Sequence, residues 1–342
     1  MTTDEARQFF ENFAGSAADV FQPLAASGSA RMNYVASANN TRYILTANHH
    51  IAENESFLYL SQVFQNLKLN TPKIFTVSAD RTMYVQEFLG TQTLAEWFKT
   101  NPPVDEIKTT VQQVLRKLYH LQKATFGKIN FSRSYEYASY DELPVTSDLY
   151  YFKAYIADML ELPYHKGKLL AEFREIIERV SKLQPRGIMM RDFQARNIML
   201  NDKADVFFID YQAAMEGPLM YDVISFLYQA SAPFTQAFRT EMVSYYYSLW
   251  KEEETVSVLQ QSFMPLKLIR FLQVLGAYGF RGLVQRKPHF ISSLRPGILN
   301  LVNFTEEWEE MPQYPELRNL IQTLNSEDTA AKIATLINSR QR

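Results

Sequence analysis

Two aspartates and one asparagine within residues 187–212 have types and spacing that suit the binding of a metal ion and of a reacting hydroxyl. Asn197 follows Asp192 after four intervening residues, and Asp210 directly follows the apolar run 206–209. Hard divalent cations such as Mg²⁺ take carboxylate and amide oxygens, usually beside phosphate oxygens. An additional aspartate that holds no metal could orient an attacking hydroxyl. Each residue taken alone is more typical of a turn or a cap, so the evidence for chemistry lies in the combination.

The apolar runs around these polar residues predict a hairpin that positions them. Residues 198–200 and 206–209 can pair across the polar turn 201–203. Asp210 then lies at a strand end, where its carboxylate is exposed beside the other two polar side chains.

The first quarter of the chain predicts a β-hairpin, a helix and a second β-hairpin. Two β-rich runs flank the turn 38–40, and a second pair flanks the turn Asp80-Arg81. Between the hairpins, Phe57, Leu60, Phe64 and Leu67 recur at helical spacing.

Helical patterns dominate after Thr93, and breaks are expected at Pro102-Pro103 and at Pro144. The sequence therefore predicts an α+β fold with a small β-rich N-lobe, residues 1–89, and a larger, mainly helical C-lobe, residues 90–342.

Composition excludes several classes of function. The 342 residues contain no cysteine, which removes disulfides, thiolate metal sites and cysteine nucleophiles. With 35 basic and 37 acidic residues, global charge gives no support for nucleic acid or membrane as a partner. The N-terminus is acidic and amphipathic, and no apolar run approaches the roughly 20 residues of a membrane helix. A cytoplasmic protein is expected.

Residues 191–199 resemble the catalytic loop of the aminoglycoside phosphotransferase and choline-kinase-like family. Residues 208–212 resemble the family's metal-binding segment, and residues 217–227 resemble the helix that follows it. More narrowly, the chain resembles the bacterial kinases that phosphorylate the anomeric hydroxyl of N-acetylmuramate and N-acetylglucosamine. That closer resemblance rests on residues 89–94, on Arg196 and on residues 272–281.

The resemblance implies a protein-kinase-like bilobal fold that uses ATP and Mg²⁺. It implies that Asp192 is the catalytic base and that Asn197 and Asp210 hold the metal between the nucleotide phosphates. Asp222 would be a structural partner of the catalytic loop, although an acid in the first turn of a helix is an equally good interpretation.

Residues 25–31 are the candidate nucleotide loop, with Ser27, Gly28, Ser29 and Arg31 as its phosphate-binding residues. Small residues let backbone N–H groups approach phosphate, and the arginine adds charge. Taken alone the segment is more typical of a plain hairpin turn; its position in the resembled family favours the nucleotide. The hinge beside adenine would comprise Gln86, Glu87 and Phe88.

Two positions depart from the kinase pattern. Met190 stands where a histidine is usual, and the third strand carries Arg42 but no lysine at the expected place. Without that lysine, Glu53 and Glu55 are interpreted as ordinary acids of a first helical turn.

The predicted function is ATP- and Mg²⁺-dependent phosphorylation of a small-molecule hydroxyl, best matched by an amino sugar in cell-wall sugar recycling. The alternatives are another acceptor, such as an aminoglycoside, choline or homoserine, and a pseudokinase that binds nucleotide as a scaffold. Arg281 and Arg286 are candidates for binding the carboxylate of an acidic sugar such as N-acetylmuramate. The oligomeric state is left open.

Overall fold

The computed structural model describes residues 2–24, 31–230 and 232–338. The chain forms two compact units. The first comprises Met1–Ala138 and Gly187–Glu216, and the second comprises Ser139–Arg186 and Gly217–Arg342. The polar segment around Asp192 and Asp210 therefore belongs to the same unit as the N-terminal residues. The predicted lobe boundary after residue 89 stays a prediction.

The first unit contains an antiparallel sheet of five strands in the order β1-β2-β3-β5-β4. Its strands are β1 (Val20–Pro23), β2 (Met32–Ala38), β3 (Thr41–Ala47), β4 (Ile74–Val77) and β5 (Met83–Glu87). Asn39 and Asn40 both have positive φ, 54° and 61°, and join Ala38 to Thr41, its partner across the ladder. Asparagine tolerates this conformation, which two-residue hairpin turns require. The predicted first hairpin is confirmed.

The helices of the first unit are α1 (Thr3–Ala14), α2 (Ile51–Asn66), α3 (Leu94–Lys99) and α4 (Val104–Thr125). Helix α1 begins with a capping box between Thr2 and Glu5. Its Phe10 is fully buried in a cluster with Tyr34, Leu45 and Val85 of the sheet. The predicted helix between the hairpins is confirmed as α2.

The remaining strands are β6 (Gln92–Thr93), β7 (Arg186–Met189), β8 (Ile198–Leu200), β9 (Val206–Phe208) and β10 (Met215–Pro218). Three of them form a second sheet of the first unit, in the order β6-β8-β9, and β7 and β10 lie outside this sheet. Ile198 is opposite Phe208 and Leu200 is opposite Val206, so the predicted hairpin is confirmed. Gly90 has a φ of 113°, and a Cβ placed on it would lie 3.2 Å from the carbonyl oxygen of Leu200. Only glycine suits both conditions there.

The second unit is mainly helical. Its helices are α5 (Glu142–Phe152), α6 (Lys166–Ser181), α7 (Met220–Leu227), α8 (Gln236–Leu249), α9 (Glu253–Tyr278), α10 (Pro288–Glu307), α11 (Pro315–Leu324) and α12 (Glu327–Asn338). Two wider π-helical segments, Lys153–Asp158 and Gly279–Val284, continue α5 and α9. The break predicted at Pro144 is wrong, because Pro144 lies in the first turn of α5, where its missing N–H costs little.

Among the described residues, no helix is long and apolar enough to cross a membrane.

Candidate active site

The loop after β7 folds back on itself and brings Asp192 and Asn197 together. The backbone N–H of Asp192 donates to the carbonyl of Met190 at 2.8 Å, and Nδ2 of Asn197 donates to the carbonyl of Asp192 at 2.9 Å. Arg191 has a φ of 69°, a conformation that is costly for a residue other than glycine and that recurs at functional sites. Met190 itself is buried.

The segment after β9 is joined to this loop by one hydrogen bond next to Asp210. The backbone N–H of Ile209 donates to the carbonyl of Asn197 at 3.0 Å. Asp210 follows with a φ of 63°, a second left-handed residue at the site. The structure therefore brings Asp192, Asn197 and Asp210 into one connected group.

Arg31 joins this group through Asp210. Its Nη2 lies 2.5 Å from Oδ1 of Asp210, and its Nη1 donates to Oε1 of Gln212 at 3.1 Å. Nε of Arg31 lies 3.5 Å from Oε1 of Glu53, and the arginine side chain is only 13% exposed. Burial disfavours the charged guanidinium, but the opposing charges of Asp210 and Glu53 outweigh it and raise the pKa of Arg31.

Glu53 is more than the ordinary helical acid that the sequence suggested. It does lie in the first turn of α2, yet its carboxylate faces Arg31 and also accepts from Nδ2 of Asn48 at 2.8 Å. A helix glutamate is thus paired with a cation, but the cation comes from the residue before β2 and not from β3. The lack of a lysine in the third strand indicated that a cation from elsewhere could take its place, but it did not indicate that Arg31 would contact Glu53. Glu55 pairs instead with Arg81.

Helix α2 also anchors the backbone that follows Asp210. Oγ of Ser56 donates to the carbonyl of Gln212 at 2.8 Å, and the hydroxyl of Tyr211 lies 2.7 Å from Oγ of Ser61. The Tyr211 ring stacks on Phe57 with centroids 4.8 Å apart. Burial raises the pKa of Tyr211, so its hydroxyl stays protonated and able to donate. The anchoring role of these residues is not predictable from the sequence, because serine and phenylalanine at helical spacing are typical of any packed helix.

The predicted hinge residues lie at the end of β5. Nε2 of Gln86 donates to Oγ1 of Thr46 at 3.1 Å, and the backbone N–H of Glu87 donates to the carbonyl of Lys73 at 2.9 Å. The guanidinium of Arg42 lies 5.7 Å from the ring centroid of Phe88. These contacts hold residues 86–88 against the sheet. None of them is made to Asp192, Asn197 or Asp210.

The remaining predicted phosphate-binding residues, Ser27, Gly28 and Ser29, lie outside the described residues. Arg31 is therefore the member of the predicted nucleotide loop whose contacts the structure gives.

The oxygen donors at this site fit a magnesium ion. Asn197 offers an amide oxygen and Asp210 a carboxylate, and Mg²⁺ commonly takes one or two such protein ligands together with water and phosphate oxygens. Among the described residues, no group of three or more histidine, aspartate or glutamate side chains could hold a metal by itself. The donor set thus suits a cation that arrives with phosphate, not one caged by protein.

Two arginines predicted for the acceptor lie in the second unit. Arg286 donates to the backbone carbonyl of Leu336, which commits one of its nitrogens to a structural contact. The guanidinium of Arg281 lies over the ring of Phe290, 5.2 Å from its centroid. Asp222 is fully buried in the first turn of α7.

The sequence matches, over residues 20–255, the model of a family described as the phosphotransferase enzyme family. A curated relative, the N-acetylmuramate/N-acetylglucosamine kinase of Neisseria meningitidis serogroup B, is 25% identical over 182 residues. That match covers 52% of this chain and 52% of the relative, so the chain spans about half of the length of the curated relative it matches.

Solved structures share the fold across most of the chain. Choline kinase LicA from Streptococcus pneumoniae gives a TM-score of 0.59 at 14% identity, covering 88% of this chain and 98% of that one. A thermostable mutant of aminoglycoside phosphotransferase APH(4)-Ia, solved with ADP and hygromycin B, gives 0.56 at 14% identity, covering 87% and 98%. These likenesses confirm the predicted protein-kinase-like, bilobal α+β fold.

Proposed function

This chain belongs to the phosphotransferase enzyme family, and we propose that it phosphorylates the anomeric hydroxyl of an amino sugar, N-acetylmuramate or N-acetylglucosamine. Family and fold together make it an ATP-dependent small-molecule kinase. The amino-sugar acceptor is supported by residues 89–94 and 272–281, which resemble the kinases of N-acetylmuramate and N-acetylglucosamine. It is also supported by the match between about half of this chain and about half of the curated kinase of Neisseria meningitidis. The proposed setting is the reuse of cell-wall sugars in the cytoplasm, where ATP is available.

One observation carries the phosphotransferase chemistry: Arg31, Asn197 and Asp210 belong to one connected group with the Asp192 loop. Phosphoryl transfer demands positioning and charge neutralisation more than covalent participation of the protein. A partly buried cation, two oxygen donors for a metal and a further aspartate provide those functions.

Asp192 is the proposed catalytic base. Its carboxylate would accept the proton of the acceptor hydroxyl as that oxygen forms its bond to the γ-phosphorus of ATP. The bond from the γ-phosphorus to the β,γ-bridging oxygen breaks, and ADP leaves with the electron pair. The hydrogen bond from Asn197 to the Asp192 carbonyl holds the loop that carries this carboxylate.

Asn197 and Asp210 are the proposed ligands of Mg²⁺, which when bound would neutralise phosphate charge. Arg31 is proposed to bind the phosphates of ATP, supplying the positive charge that a strand lysine supplies elsewhere. Its two carboxylate partners, Glu53 and Asp210, hold the Arg31 guanidinium next to the proposed metal ligand Asp210.

The other nucleotide contacts remain proposals from the sequence. Ser27, Gly28 and Ser29 would offer backbone N–H groups to phosphate, and the main chain of Gln86, Glu87 and Phe88 would meet adenine. For an acidic acceptor, Arg281 is the better candidate for the carboxylate, because Arg286 is held by the carbonyl of Leu336.

A panel of acceptors tests this function. The purified chain is incubated with ATP, Mg²⁺ and either N-acetylmuramate, N-acetylglucosamine, choline, homoserine or an aminoglycoside, and ADP release is followed. We expect the highest kcat/KM for the two N-acetylated sugars. Preferential turnover of any of the other acceptors would overturn the amino-sugar assignment while leaving the kinase intact.

A further inference from the structure

Gln212 follows the proposed metal ligand Asp210 by two residues and has no role in the function proposed above. It is only 7% exposed, and a buried amide needs partners for both of its ends, because an unpaired polar group in the interior is costly. Its Oε1 accepts from Nη1 of Arg31 at 3.1 Å, and its Nε2 donates to Oδ1 of Asp210 at 3.2 Å. The amide therefore bridges the two members of the Arg31–Asp210 ion pair.

The chemistry of this bridge suits a glutamine. The guanidinium of Arg31 can only donate hydrogen bonds, and the ionised carboxylate of Asp210 can only accept them. A side-chain amide contains both an acceptor and a donor, so it serves the two groups at once without adding charge. A glutamate at this position would lack the donor for Asp210 and would place a second negative charge beside that carboxylate.

The bridge also distinguishes the two oxygens of Asp210. Within the described part of the chain, the hydrogen bonds from Arg31 and Gln212 to this carboxylate both end on Oδ1. The terminal torsion of an aspartate is otherwise broad, so two donors on one oxygen restrict the rotation of the carboxylate. Oδ2 is the oxygen that these donors leave to a cation.

Helix α2 fixes the backbone of the bridge. Oγ of Ser56, which is fully buried, donates to the carbonyl of Gln212 at 2.8 Å. Ser56 follows Glu53 by three residues in α2, so the two side chains are neighbours on one face of the helix. Oε1 of Glu53 lies 3.5 Å from Nε of Arg31. The same helix face therefore holds both residues of the Arg31–Gln212 hydrogen bond.

We propose that Gln212 is a positioning residue, which presents Oδ2 of Asp210 to the metal and the Arg31 guanidinium to the nucleotide phosphates. The inference rests on the metal and phosphate roles proposed above for these two residues, and it needs no assumption about the acceptor. Loss of the amide would leave Arg31 and Asp210 in contact but free both side chains to rotate. Binding of the metal together with the nucleotide would then weaken.

Isothermal titration calorimetry with Mg²⁺·ADP, in the absence of any acceptor, tests this role in the full chain. Q212M nearly keeps the length of the side chain but removes both hydrogen bonds. Q212N keeps the amide but is one methylene shorter, so it should not reach both partners. Each variant is expected to raise the Kd for Mg²⁺·ADP about tenfold, while one site per folded chain is retained.

The stoichiometry of the titration separates positioning from a merely structural role. A variant that only loses folded protein would lower the number of binding sites and leave the Kd of the remaining sites unchanged. The matched control is Q113M, because Nε2 of Gln113 donates to Oδ1 of Asp205 at 3.1 Å. It removes a hydrogen bond between the same residue types in the first unit, outside the candidate site, and should leave the Kd unchanged. Urea unfolding curves confirm that each variant is folded.

A double-mutant cycle with R31A tests whether Gln212 acts through Arg31. Q212M should raise the Kd by a smaller factor in R31A than in the wild type, because one of the two partners of the amide is already gone. Equal factors in the two backgrounds would show that Gln212 does not orient Arg31.

Two further results would overturn the proposal, and they differ in what they leave intact. Equal Kd values for the wild type, Q212M and Q212N would remove the role of Gln212 and leave the proposed phosphotransferase function untouched. No binding of Mg²⁺·ADP to the wild type at millimolar concentration would contradict the proposed metal and nucleotide site itself, and the role of Gln212 with it.

Discussion

Arg31 and Asp210 are 179 positions apart in the sequence, yet the guanidinium Nη2 and the carboxylate Oδ1 are 2.5 Å apart. This contact joins the segment before β2 to the segment after β9, and Glu53 of α2 contacts Nε of the same guanidinium. In the proposed function, Arg31 of this pair takes the place of the lysine that β3 lacks. The cation contacts the proposed metal ligand from the residue that precedes β2.

Substitution of Arg31 tests this compensation. R31A removes the cation between two carboxylates and is expected to lower kcat/KM for ATP by about 100-fold, because charged hydrogen bonds contribute about 1.5–3 kcal/mol each. R31K keeps the charge but loses the fork of donors, so an intermediate loss is expected. Initial rates at varied ATP measure both.

The control for Arg31 is K99A, which removes an exposed cation of α3 in the same unit. It should leave kcat/KM for ATP unchanged. Equal kcat/KM for R31A and the wild type would contradict the proposed role of Arg31.

The hydroxyl of Tyr211 is expected to stabilise the segment that carries Asp210. Y211F removes its hydrogen bond with Ser61 and should cost about 1 kcal/mol of the free energy of unfolding. In a double-mutant cycle with S61A, the two losses should be non-additive, since both variants remove the same contact. Urea unfolding of the four proteins measures the coupling, and strictly additive losses would argue against this contact.

A buried lysine in the second unit gives a pH-dependent prediction. Nζ of Lys267 lies 2.5 Å from Oε2 of Glu307 and 4.5 Å from the ring centroid of Tyr228. Burial lowers the pKa of Lys267 below the usual 10.5, although Glu307 opposes the shift. Between the lowered pKa and 10.5 the unfolded chain binds more protons, so the stability of the wild type rises with pH in that window.

K267M removes this titration. It is expected to be at least as stable as the wild type at pH 7, because a well-packed apolar side chain often replaces a buried ion pair without loss. That advantage should shrink as the pH rises toward 10.5. Thermal unfolding at several pH values measures the trend, with K168M at an exposed lysine of α6 as the control. A growing advantage of K267M with rising pH would show that the sign is wrong.

Gly279 is expected to tolerate no side chain. A Cβ at this position would lie 2.2 Å from the carbonyl oxygen of Tyr155, where the π-helical segment after α9 meets the one after α5. G279A should therefore lower the free energy of unfolding by about 3 kcal/mol through overpacking. G167A is the matched control, because its added Cβ would meet only the His165 side chain at 3.4 Å and alanine is the better helix former. Equal stabilities of G279A and G167A would contradict the close approach.

Much of the first unit follows from local patterns in the sequence. The Asn39-Asn40 turn and the spacing from Phe57 to Leu67 are local signals, and both elements form where they were expected. Strand β1 was not foreseen, because four residues ending in Pro23 carry little strand signal. A proline is tolerated at the edge of a sheet, which is where β1 lies.

The candidate site shows the same division between local and long-range information. The spacing of Asp192, Asn197 and Asp210 could be recognised as a pattern, since all three lie in one segment. The pairing of Arg31 with Glu53 could not, because it depends on how the end of one hairpin meets the first turn of α2. Helix α2 was predicted from its apolar residues. Their spacing does not indicate which glutamate of the helix contacts Arg31.

The most direct measurement compares the wild type with D192N in the phosphorylation of N-acetylmuramate and N-acetylglucosamine by ATP and Mg²⁺. Phosphorus NMR of the product identifies the phosphorylated hydroxyl, and unfolding curves check that D192N is folded. We expect a product phosphorylated at the anomeric oxygen and a kcat for D192N reduced by about 10²–10⁴-fold, the usual contribution of a general base. Wild-type kcat in D192N would contradict the role of Asp192, and a product phosphorylated at another hydroxyl would contradict the proposed reaction.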